Sequence, residues 1–356
     1  MKLAVLPDFV EEGWLSMEYC AERLLAELPG AVRVCPPYRR IATRFAANRK
    51  AVNADRVFNR YLRYPRFVRR IRGDYDCFHI VDHSYAHLAR GLPGGRTGVY
   101  CHDVDAFRGV FESGRSRWFR QLGRHLLEGL RNAAVVFVNS QQTRGHLLEY
   151  QLVEASRIVL CPLGVAEEFT PGPSVYKLDG PWILHVGSCV PRKRIDVLLD
   201  AFAAARRRIP GLRLLKISGE FSPAQRGQIE RLNLREAIVH EQGLSRGELA
   251  AVYRAAPLVV IPSDAEGFGL PALEAIACGA KVLASDLPAL REAGGDAAIY
   301  ASVAAVSAWS DLIVSAFDNP GLWPRPALRE VQASRFSWGA HAQTIHAAYY
   351  HLWKPS

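Results

Sequence analysis

The sequence lacks any uninterrupted apolar run close to the roughly 18 to 20 residues needed to cross a bilayer. Its first residues, MKLAVLPDFVEEGW, hold one lysine and soon reach Asp8, Glu11 and Glu12, which is unlike a signal peptide. We therefore expect a cytoplasmic protein. A peripheral position on the inner face of the cytoplasmic membrane is kept as a second hypothesis.

Paired cysteines are missing as well. The seven cysteines stand singly along the chain, without a C-x-x-C pair. Neither a disulfide framework nor a zinc site is indicated by that spacing. We expect reduced, mostly buried thiols.

Acidic residues are scarce in one segment of the chain. From Arg39 to Arg72, twelve basic residues accompany the single acid Asp55, with aromatic side chains between them. Residues 1–165 carry 25 Lys and Arg against 16 Asp and Glu, whereas the remainder carries 20 against 19. A solvated helix face, a nucleic-acid surface and a surface for anionic lipid are the three interpretations. No recognisable nucleic-acid motif accompanies the segment, so we expect no nucleic-acid partner.

The chain is long enough for two α/β domains, at 356 residues. Strand patterns such as LAVLP and CFHIVD alternate with helical patterns. After the proline-rich, linker-like stretch 167–178, a second series runs from PWILHVGS to AKVLASD. This alternation predicts parallel, doubly wound sheets. The sequence therefore predicts two Rossmann-like domains that face each other across a cleft.

Ligands of open parallel sheets bind beyond the carboxyl ends of the strands. Four loops follow predicted strands in this way, namely Asp8–Gly13, Cys101–Asp105, Gly187–Lys193 and Ser263–Leu270. We expect the functional residues in these loops.

The last of these loops forms the first part of the string SDAEGFGLPALEA. Glu266 follows a strand, where its carboxylate can accept hydrogen bonds from ligand hydroxyls. Gly267 and Gly269 let backbone amides approach a ligand, and the helix N-terminus at Pro271 favours a phosphate. Glu274 lies one turn further, where it could hold a vicinal diol such as a ribose. The alternative is a solvated Glu266 and a Glu274 that caps or pairs locally.

The string HVGSCVPRKR places cations in a second loop. Arg192, Lys193 and Arg194 lie between a strand and an amphipathic helix, where they could neutralise a diphosphate. Lys193 is predicted to make the closest contact. A solvated basic turn is the alternative.

Three strings carry a resemblance to a known family. EGFGLPALEAIACGAKVLASDLPALREAGGDAAIY, VGSCVPRKRIDVLLDAF and RIVLCPLGVAEEFTPG are similar to segments of the retaining GT-B glycosyltransferases of family 4. The likeness covers nearly all of the second half and, more loosely, the first. It implies an acceptor-binding domain of residues 1–165 and a nucleotide-sugar-binding domain of residues 166–337. It also implies a terminal helix, at about 338–356, that returns to the first domain.

The resemblance implies roles for single residues. Glu266 would hold hydroxyls of the transferred sugar, Glu274 the ribose, and Arg192 and Lys193 the diphosphate, over which the loop of Gly13 would close. The implied donor-binding residues are Gly13, Gly187, Ser188, Arg192, Lys193, Leu244, Glu266, Gly267, Phe268, Gly269, Leu270 and Glu274. Many members of the family have an arginine where this chain has Ser188, so one phosphate-binding cation is missing.

His102, at the end of TGVYCHD, completes the predicted catalytic set with Glu266 and Lys193. The resemblance implies that it lies beside the reacting sugar. A buried histidine bonded to backbone is the alternative, and His83 is a rival for the same place.

The string Asp103-Val104-Asp105 matches the D-x-D metal-binding signature of the other large glycosyltransferase fold. Two basic residues and a helix N-terminus already offer neutralisation of a leaving diphosphate. We therefore expect no metal and no cofactor, and we interpret Asp103 as a loop or cap residue.

The predicted function is transfer of a sugar, with a hexose as the working hypothesis, from a UDP- or GDP-sugar to a hydroxyl of a carbohydrate or lipid-linked acceptor. By resemblance the anomeric configuration is retained, and the product belongs to bacterial polysaccharide or glycolipid synthesis. Because similar enzymes often use lipid-linked acceptors, docking of Arg39–Arg72 on an anionic membrane is the preferred interpretation of that segment. The alternatives are a sugar-nucleotide epimerase of GT-B fold and a catalytically degenerate docking protein.

Overall fold

The computed structural model describes residues 1–46, 48–111, 117–303 and 305–353. The chain forms two compact units, one of Met1–Leu163 together with the segment from Trp338 on, the other of Gly164–Ser337. Each unit contains a six-stranded sheet whose strand pairs are parallel. The predicted α/β class with two Rossmann-like sheets is confirmed.

The helices and strands of the first unit alternate along the chain. They are β1 (Leu3–Leu6), α1 (Leu15–Glu27), β2 (Ala31–Arg33), α2 (Arg49–Val57), a π-helical turn (Phe58–Arg63), α3 (Tyr64–Ile71), β3 (Cys77–Ile80), a 3-10 segment (His83–Gly91), β4 (Thr97–Cys101), α4 (Asp105–Phe111), α5 (Arg117–Asn132), β5 (Val135–Val138), α6 (Gln141–Glu149) and β6 (Ile158–Leu160). The sheet order is β2-β1-β3-β4-β5-β6. Every residue of β1, β3, β4 and β5 is buried, as expected for strands covered by helices on both faces.

The basic segment is largely helical. α2, the π-helical turn and α3 follow one another without a break from Arg49 to Ile71. Asp55 is buried on the inner side of α2, where its carboxylate accepts hydrogen bonds from the backbone amides of Ile41, Ala42 and Thr43. The single acid of the segment therefore fixes the preceding loop and does not neutralise the surrounding arginines.

The second unit repeats the alternation with its own core. Its elements are β7 (Trp182–Val186), α7 (Ile195–Arg206), β8 (Arg213–Ile217), α8 (Pro223–Arg231), β9 (Ile238–Glu241), α9 (Arg246–Ala255), β10 (Val259–Ile261), α10 (Leu270–Ala277), β11 (Val282–Ser285), α11 (Pro288–Gly294), β12 (Ile299–Ala301), α12 (Val306–Asp318) and α13 (Pro326–Ser334). The sheet order is β12-β11-β10-β7-β8-β9. Counted from its own first strand this is 3-2-1-4-5-6, the Rossmann order.

The last helix, α14 (Trp338–Trp353), packs in the first unit. The Tyr349 side chain is fully buried, and its hydroxyl donates to the Phe78 carbonyl of β3 at 2.9 Å. Where the chain enters and leaves the second unit, Val165 and Ser337 form a parallel bridge. The two crossings therefore lie side by side.

The proline-rich stretch 167–178 contains neither a helix nor a regular strand, as its composition predicts. It is nevertheless held to the second unit. Arg254 of α9 donates to the carbonyls of Glu168 and Thr170, and the Tyr176 hydroxyl donates to Glu241 at 2.9 Å. Among the helices of the described residues, none is both long and apolar enough to span a membrane.

Candidate functional site

The strand order of the second unit reverses between β7 and β10. From β7 the chain builds outward through β8 and β9, and it then returns to the other side of β7 to form β10. The loops that follow these two neighbouring strands diverge at the carboxyl edge, which is where open parallel sheets bind ligands. They are Gly187–Lys193 and Ser263–Leu270, two of the four loops that the sequence singled out.

Glu266 joins these two loops. One carboxylate oxygen accepts from the Lys193 ammonium at 2.5 Å and from the Ser263 hydroxyl at 2.6 Å, and the other is 3.3 Å from the Arg192 guanidinium. Lys193 and Glu266 are 7% and 9% exposed, so this ion pair is shielded from water and is stronger than a surface pair. The structure therefore brings three of the predicted site residues into one cluster.

Further contacts fix the geometry of this cluster. The Asp264 amide donates to the Arg192 carbonyl at 2.8 Å, and the Arg192 guanidinium donates to the Ala265 carbonyl at 3.0 Å. Arg194 lies at the start of α7 in a left-handed conformation, with φ of 46°, and its guanidinium contacts both Asp196 and Asp264. The sequence grouped Arg194 with the phosphate-binding cations, but the structure gives it this bridging contact between the loops.

Lys216 is a residue of the site region that the sequence interpretation missed. It is fully buried on β8, and its ammonium donates to the carbonyls of Gly187 at 2.6 Å, Ile217 at 3.0 Å and Ser218. Burial lowers its pKa to about 8. The sequence did contain one indication of this role, since a lysine within the otherwise apolar strand RLLKI needs hydrogen-bond acceptors for its ammonium group. The predicted donor residue Ser188 is exposed beside this anchored Gly187.

Glu274 lies on α10, where it is only partly exposed. The Tyr253 hydroxyl of α9 donates to it at 3.2 Å. Burial outweighs this hydrogen bond and raises the pKa of Glu274 to about 8. At neutral pH a large share of this carboxyl is therefore protonated and can also donate a hydrogen bond.

The glycine turn before α10 is locally constrained. Gly269 has φ of 98°, and a Cβ atom there would lie 2.7 Å from the Leu290 side chain, so only glycine fits without rearrangement. Phe268 is 3% exposed and contacts Phe336 edge to face, so its ring packs in the interior and is not available to a ligand. Gly267 and Leu270 are partly exposed beside it.

The remaining predicted donor residues lie apart from this cluster in the chain. Leu244 is partly exposed just before α9. Gly13 belongs to the first unit, where it ends a 3-10 turn with φ of 76° and open space around its missing side chain.

His102 lies at the end of β4 and is 7% exposed. Its Nε2 is 2.9 Å from the Val81 carbonyl, its ring is 4.5 Å from that of Tyr100, and burial lowers its pKa. A carbonyl only accepts, so Nε2 carries the proton and Nδ1 is the acceptor of the neutral ring. These contacts are those of a buried histidine bonded to backbone, the alternative weighed from the sequence. A role in catalysis stays a prediction.

Carboxylates surround the neighbouring His83. Its Nδ1 is 3.0 Å from Asp82 and its Nε2 is 3.5 Å from Asp103. Burial alone would lower the pKa of His83, but the attraction of Asp82 prevails and raises it well above its usual range. The pKa of the buried Asp8 is also raised well above its ordinary value, by burial and by Asp82. The carboxylates of Asp82 and Asp103 therefore favour the charged form of His83.

Asp103 acts locally within its loop. Its carboxylate accepts from the Asp105 amide at 2.9 Å, as in an Asx turn. No group of three or more His, Cys, Asp and Glu side chains suited to a metal ion occurs within residues 1–46, 48–111, 117–303 and 305–353.

The cluster of the second unit suits one kind of chemistry. Arg192, Lys193 and the amides at the start of α10 can neutralise an anion. Glu266 and Glu274 can each accept hydrogen bonds from hydroxyl groups. An anion flanked by two hydroxyl-bearing groups is the ligand that these residues would match.

Two family models match the chain. The model described as "Glycosyl transferases group 1" matches residues 167–329, and the model described as "Glycosyltransferase Family 4" matches residues 23–169.

Curated relatives point the same way. A D-inositol 3-phosphate glycosyltransferase of Segniliparus rotundus is 34% identical over 59% of this chain and 51% of its own length. An O-antigen chain mannosyltransferase B of Escherichia coli is 31% identical over 69% of this chain and 68% of its own length. The chain spans 51% and 60% of the first two relatives, the second being an enzyme of the same name from Frankia alni.

Solved structures share the fold. Sucrose-phosphate synthase of Thermosynechococcus elongatus aligns over 100% of both chains with a TM-score of 0.73 and 19% identity. Anabaena HepE, solved with UDP and glucose, aligns over 98% of this chain and 99% of its own, with a TM-score of 0.76 and 15% identity.

Proposed function

The chain belongs to the group 1 glycosyltransferases of family 4, with the GT-B fold, and we propose that it transfers a sugar from a nucleotide-diphosphate sugar to an acceptor hydroxyl. The proposed acceptor is a carbohydrate or a lipid-linked molecule. The observation that carries the proposal is the shielded ion pair of Lys193 and Glu266, with Arg192 beside it, at the point where the strand order reverses.

Donor binding would exchange contacts within this cluster. Phosphate oxygens compete with Glu266 for the Lys193 ammonium and the Arg192 guanidinium, while hydroxyls of the sugar donate to the Glu266 carboxylate. Each charged group thus keeps a partner, which avoids the cost of a buried unpaired charge. Glu274, in its ionised form, accepts from the two ribose hydroxyls.

The proposed reaction retains the anomeric configuration by front-face attack. The acceptor oxygen attacks the anomeric carbon, the bond to the diphosphate breaks, and the departing phosphate takes the acceptor proton. Lys193, Arg192 and the N-terminus of α10 stabilise the developing negative charge, so the proposed chemistry needs no metal. These contacts would stabilise the leaving group in a retaining and in an inverting reaction alike. The proposal of retention is therefore supported by the family resemblance alone.

The names of two similar proteins support a hexose as the transferred sugar. One is named as a mannosyltransferase, and one structural neighbour was solved with UDP and glucose. We therefore include UDP-glucose and GDP-mannose among the first donors to test.

A nucleotide screen and one variant test the proposal. UDP, GDP and ADP are compared for their effect on the melting temperature, with and without EDTA, since a ligand of the folded state raises it. One nucleotide class should stabilise the wild-type protein in the presence of EDTA. Glu266→Gln should remain folded but lose at least about 100-fold in sugar transfer, because a carboxylate at the reacting sugar is replaced by a neutral amide.

Glu230→Gln is the matched control, since the Glu230 side chain is exposed on α8 and lies 3.5 Å from the exposed Arg235 side chain. It should transfer sugar like the wild type. No stabilisation by any nucleotide would overturn the donor site and favour a docking protein. Consumption of the donor without an acceptor would identify an epimerase.

We also propose that an exposed basic face of the first unit docks on an anionic membrane. Phe45 is 89% exposed and Ile41 is 42% exposed, and Arg40, Arg44 and Arg49 are exposed near them in the chain. An apolar side chain among cations matches the interface of an anionic bilayer, where the ring enters the headgroup region and the cations face lipid phosphates.

Co-sedimentation with vesicles of phosphatidylglycerol and phosphatidylcholine tests this face. Binding should fall as salt rises and should weaken in Phe45→Ser. Val175→Ser is the control, because Val175 is 90% exposed in the second unit without such a cluster of arginines. Absence of co-sedimentation at low salt, or equal binding of both variants, would rule out the proposed face.

A further inference from the structure

Four arginines line one open pocket of the first unit. Its volume is about 470 Å³, and its walls are formed by Arg69, Arg72, Arg90 and Arg96, with Gly73 and Gly91 between them. We call it the arginine pocket. A volume of this size is within the range of small-molecule sites.

The positive charge of the arginine pocket is largely uncompensated. Arg90 is 3.0 Å from Glu128. For Arg69, Arg72 and Arg96, the described residues provide no ion pair within 4.0 Å. Glu128 balances one of the four charges, which leaves a surplus of three around one cavity. Like charges held together in this way favour a bound multivalent anion.

The arginine pocket lies at the opposite edge of the sheet from His102 and Gly13. Arg96 directly precedes β4, and Arg72 and Gly73 precede β3, so the pocket is at the amino ends of the strands. His102 follows β4 at the carboxyl end. Five residues of strand separate the two ends, which corresponds to about 16 Å. Within the first unit, the arginine pocket is therefore separate from His102 and Gly13.

The chemistry of the walls selects the ligand. Guanidinium groups bind phosphate through two parallel hydrogen bonds and stay charged at every physiological pH. Gly73 has open space where a side chain would be, so a ligand can approach the backbone there. We propose that the arginine pocket binds a diphosphate group or a similar phosphate-bearing anion, distinct from the sugar-nucleotide donor.

Calorimetry with inorganic pyrophosphate tests the proposal. The titration is made in a Lys193→Ala background, so that the donor cluster contributes little. Pyrophosphate should bind, and Arg72→Ala with Arg96→Ala should weaken the binding by roughly tenfold or more, because two charge-assisted contacts are removed. Arg231→Ala with Arg235→Ala is the control, since it removes the same charge from exposed positions of the second unit and should leave the dissociation constant unchanged.

A vesicle experiment distinguishes a soluble phosphate from a lipid headgroup. In a Phe45→Ser background, vesicles of phosphatidylglycerol and phosphatidylcholine are compared with phosphatidylcholine alone. Loss of vesicle binding on changing Arg72 and Arg96, without pyrophosphate binding, assigns the pocket to a headgroup. Equal behaviour of the pocket variant and the control in both experiments overturns the proposal. This result would leave the nucleotide screen of the wild-type protein, and hence the donor site, untouched.

Discussion

Glu274 titrates in a range where most glutamates are already ionised. Its folded-state pKa of about 8 exceeds the ordinary 4.5, so the folded protein holds this proton more tightly than the unfolded chain. The stabilising contribution is fully present below pH 4.5 and is lost as the pH rises through about 8. Between these limits, the wild type should therefore lose stability relative to Glu274→Gln as the pH rises. A fully buried carboxyl would lose about 1.4 kcal/mol per pH unit, and the loss should be smaller here because the Glu274 side chain is partly exposed.

Melting temperatures of the wild type and Glu274→Gln, measured between pH 5 and 9, check this expectation. The difference between the two curves should grow towards high pH in favour of the variant. Glu230→Gln, at an exposed position, should show no such trend. A constant difference between the wild type and Glu274→Gln would show that Glu274 titrates normally.

His102 offers a second prediction for a single residue. Its protonated Nε2 is bound to Val81, and its Nδ1 is the acceptor that could position a ligand hydroxyl. His102→Ala should lower kcat by roughly 10- to 100-fold, whereas His102→Asn, which keeps an oxygen near the place of Nδ1, should recover part of the rate. Nucleotide-induced stabilisation should be the same in both variants. An equal loss of kcat in His102→Ala and His102→Asn, together with a lower melting temperature of both variants, would indicate that His102 has a purely structural role.

At the scale of elements, α5 packs against the 3-10 segment His83–Gly91 through a glycine. A Cβ atom on Gly129 would lie 2.1 Å from the Ala86 carbonyl oxygen and 2.7 Å from the His87 amide. Backbone cannot yield as a flexible side chain can, so Gly129→Ala should destabilise the protein by at least about 1 to 3 kcal/mol. The matched change is Gly145→Ala in α6, where nothing lies within 4 Å. It should stabilise by about 0.5 to 1 kcal/mol, because alanine favours the helix.

Urea unfolding of the two glycine variants measures both effects. The free energy of unfolding should fall in Gly129→Ala and rise in Gly145→Ala, although the chemical change is the same. A neutral Gly129→Ala would mean that α5 and the 3-10 segment can separate without cost, which would contradict the close packing between them.

The elements that could be predicted from the sequence are those with a strong local pattern. β7 and β10 are buried runs of mostly apolar residues, and Ser140 caps α6 by accepting from the Thr143 amide. The edge strands β2 and β9 are largely exposed or half-buried, so their sequences show no apolar run. They were not predicted, because pairing with a neighbour and not their own composition makes them strands.

The candidate site shows the same limit. Loops after strands, glycines and cations are local features, and they located Lys193 and Glu266 in advance of the structure. The contacts of Asp55 with the loop at Ile41 and of Lys216 with the Gly187 carbonyl join residues 14 and 29 positions apart. Such contacts depend on how the chain folds back on itself, so they cannot be predicted from spacing in the sequence.

At the scale of the whole molecule, the first unit is completed by the end of the chain. The Tyr349 hydroxyl of α14 donates to the Phe78 carbonyl and is 3.1 Å from Nδ1 of His79. Burial lowers the pKa of His79 to about 3, so this ring is neutral and its Nδ1–H can donate to the Tyr349 oxygen. One hydroxyl therefore satisfies two buried groups that lie more than 250 residues earlier in the chain.

Tyr349→Phe should leave both groups unsatisfied and lower the free energy of unfolding by about 1 to 3 kcal/mol. Hydrogen exchange measures where this loss occurs. Amides of β3 and β4, in the unit that α14 completes, should exchange faster than in the wild type by a larger factor than those of β7 and β8. Glu230→Gln, at an exposed position of the second unit, should change neither set. An equal acceleration of both sheets would show that the two units lose their structure together, and no acceleration would show that the last helix does not hold the first sheet.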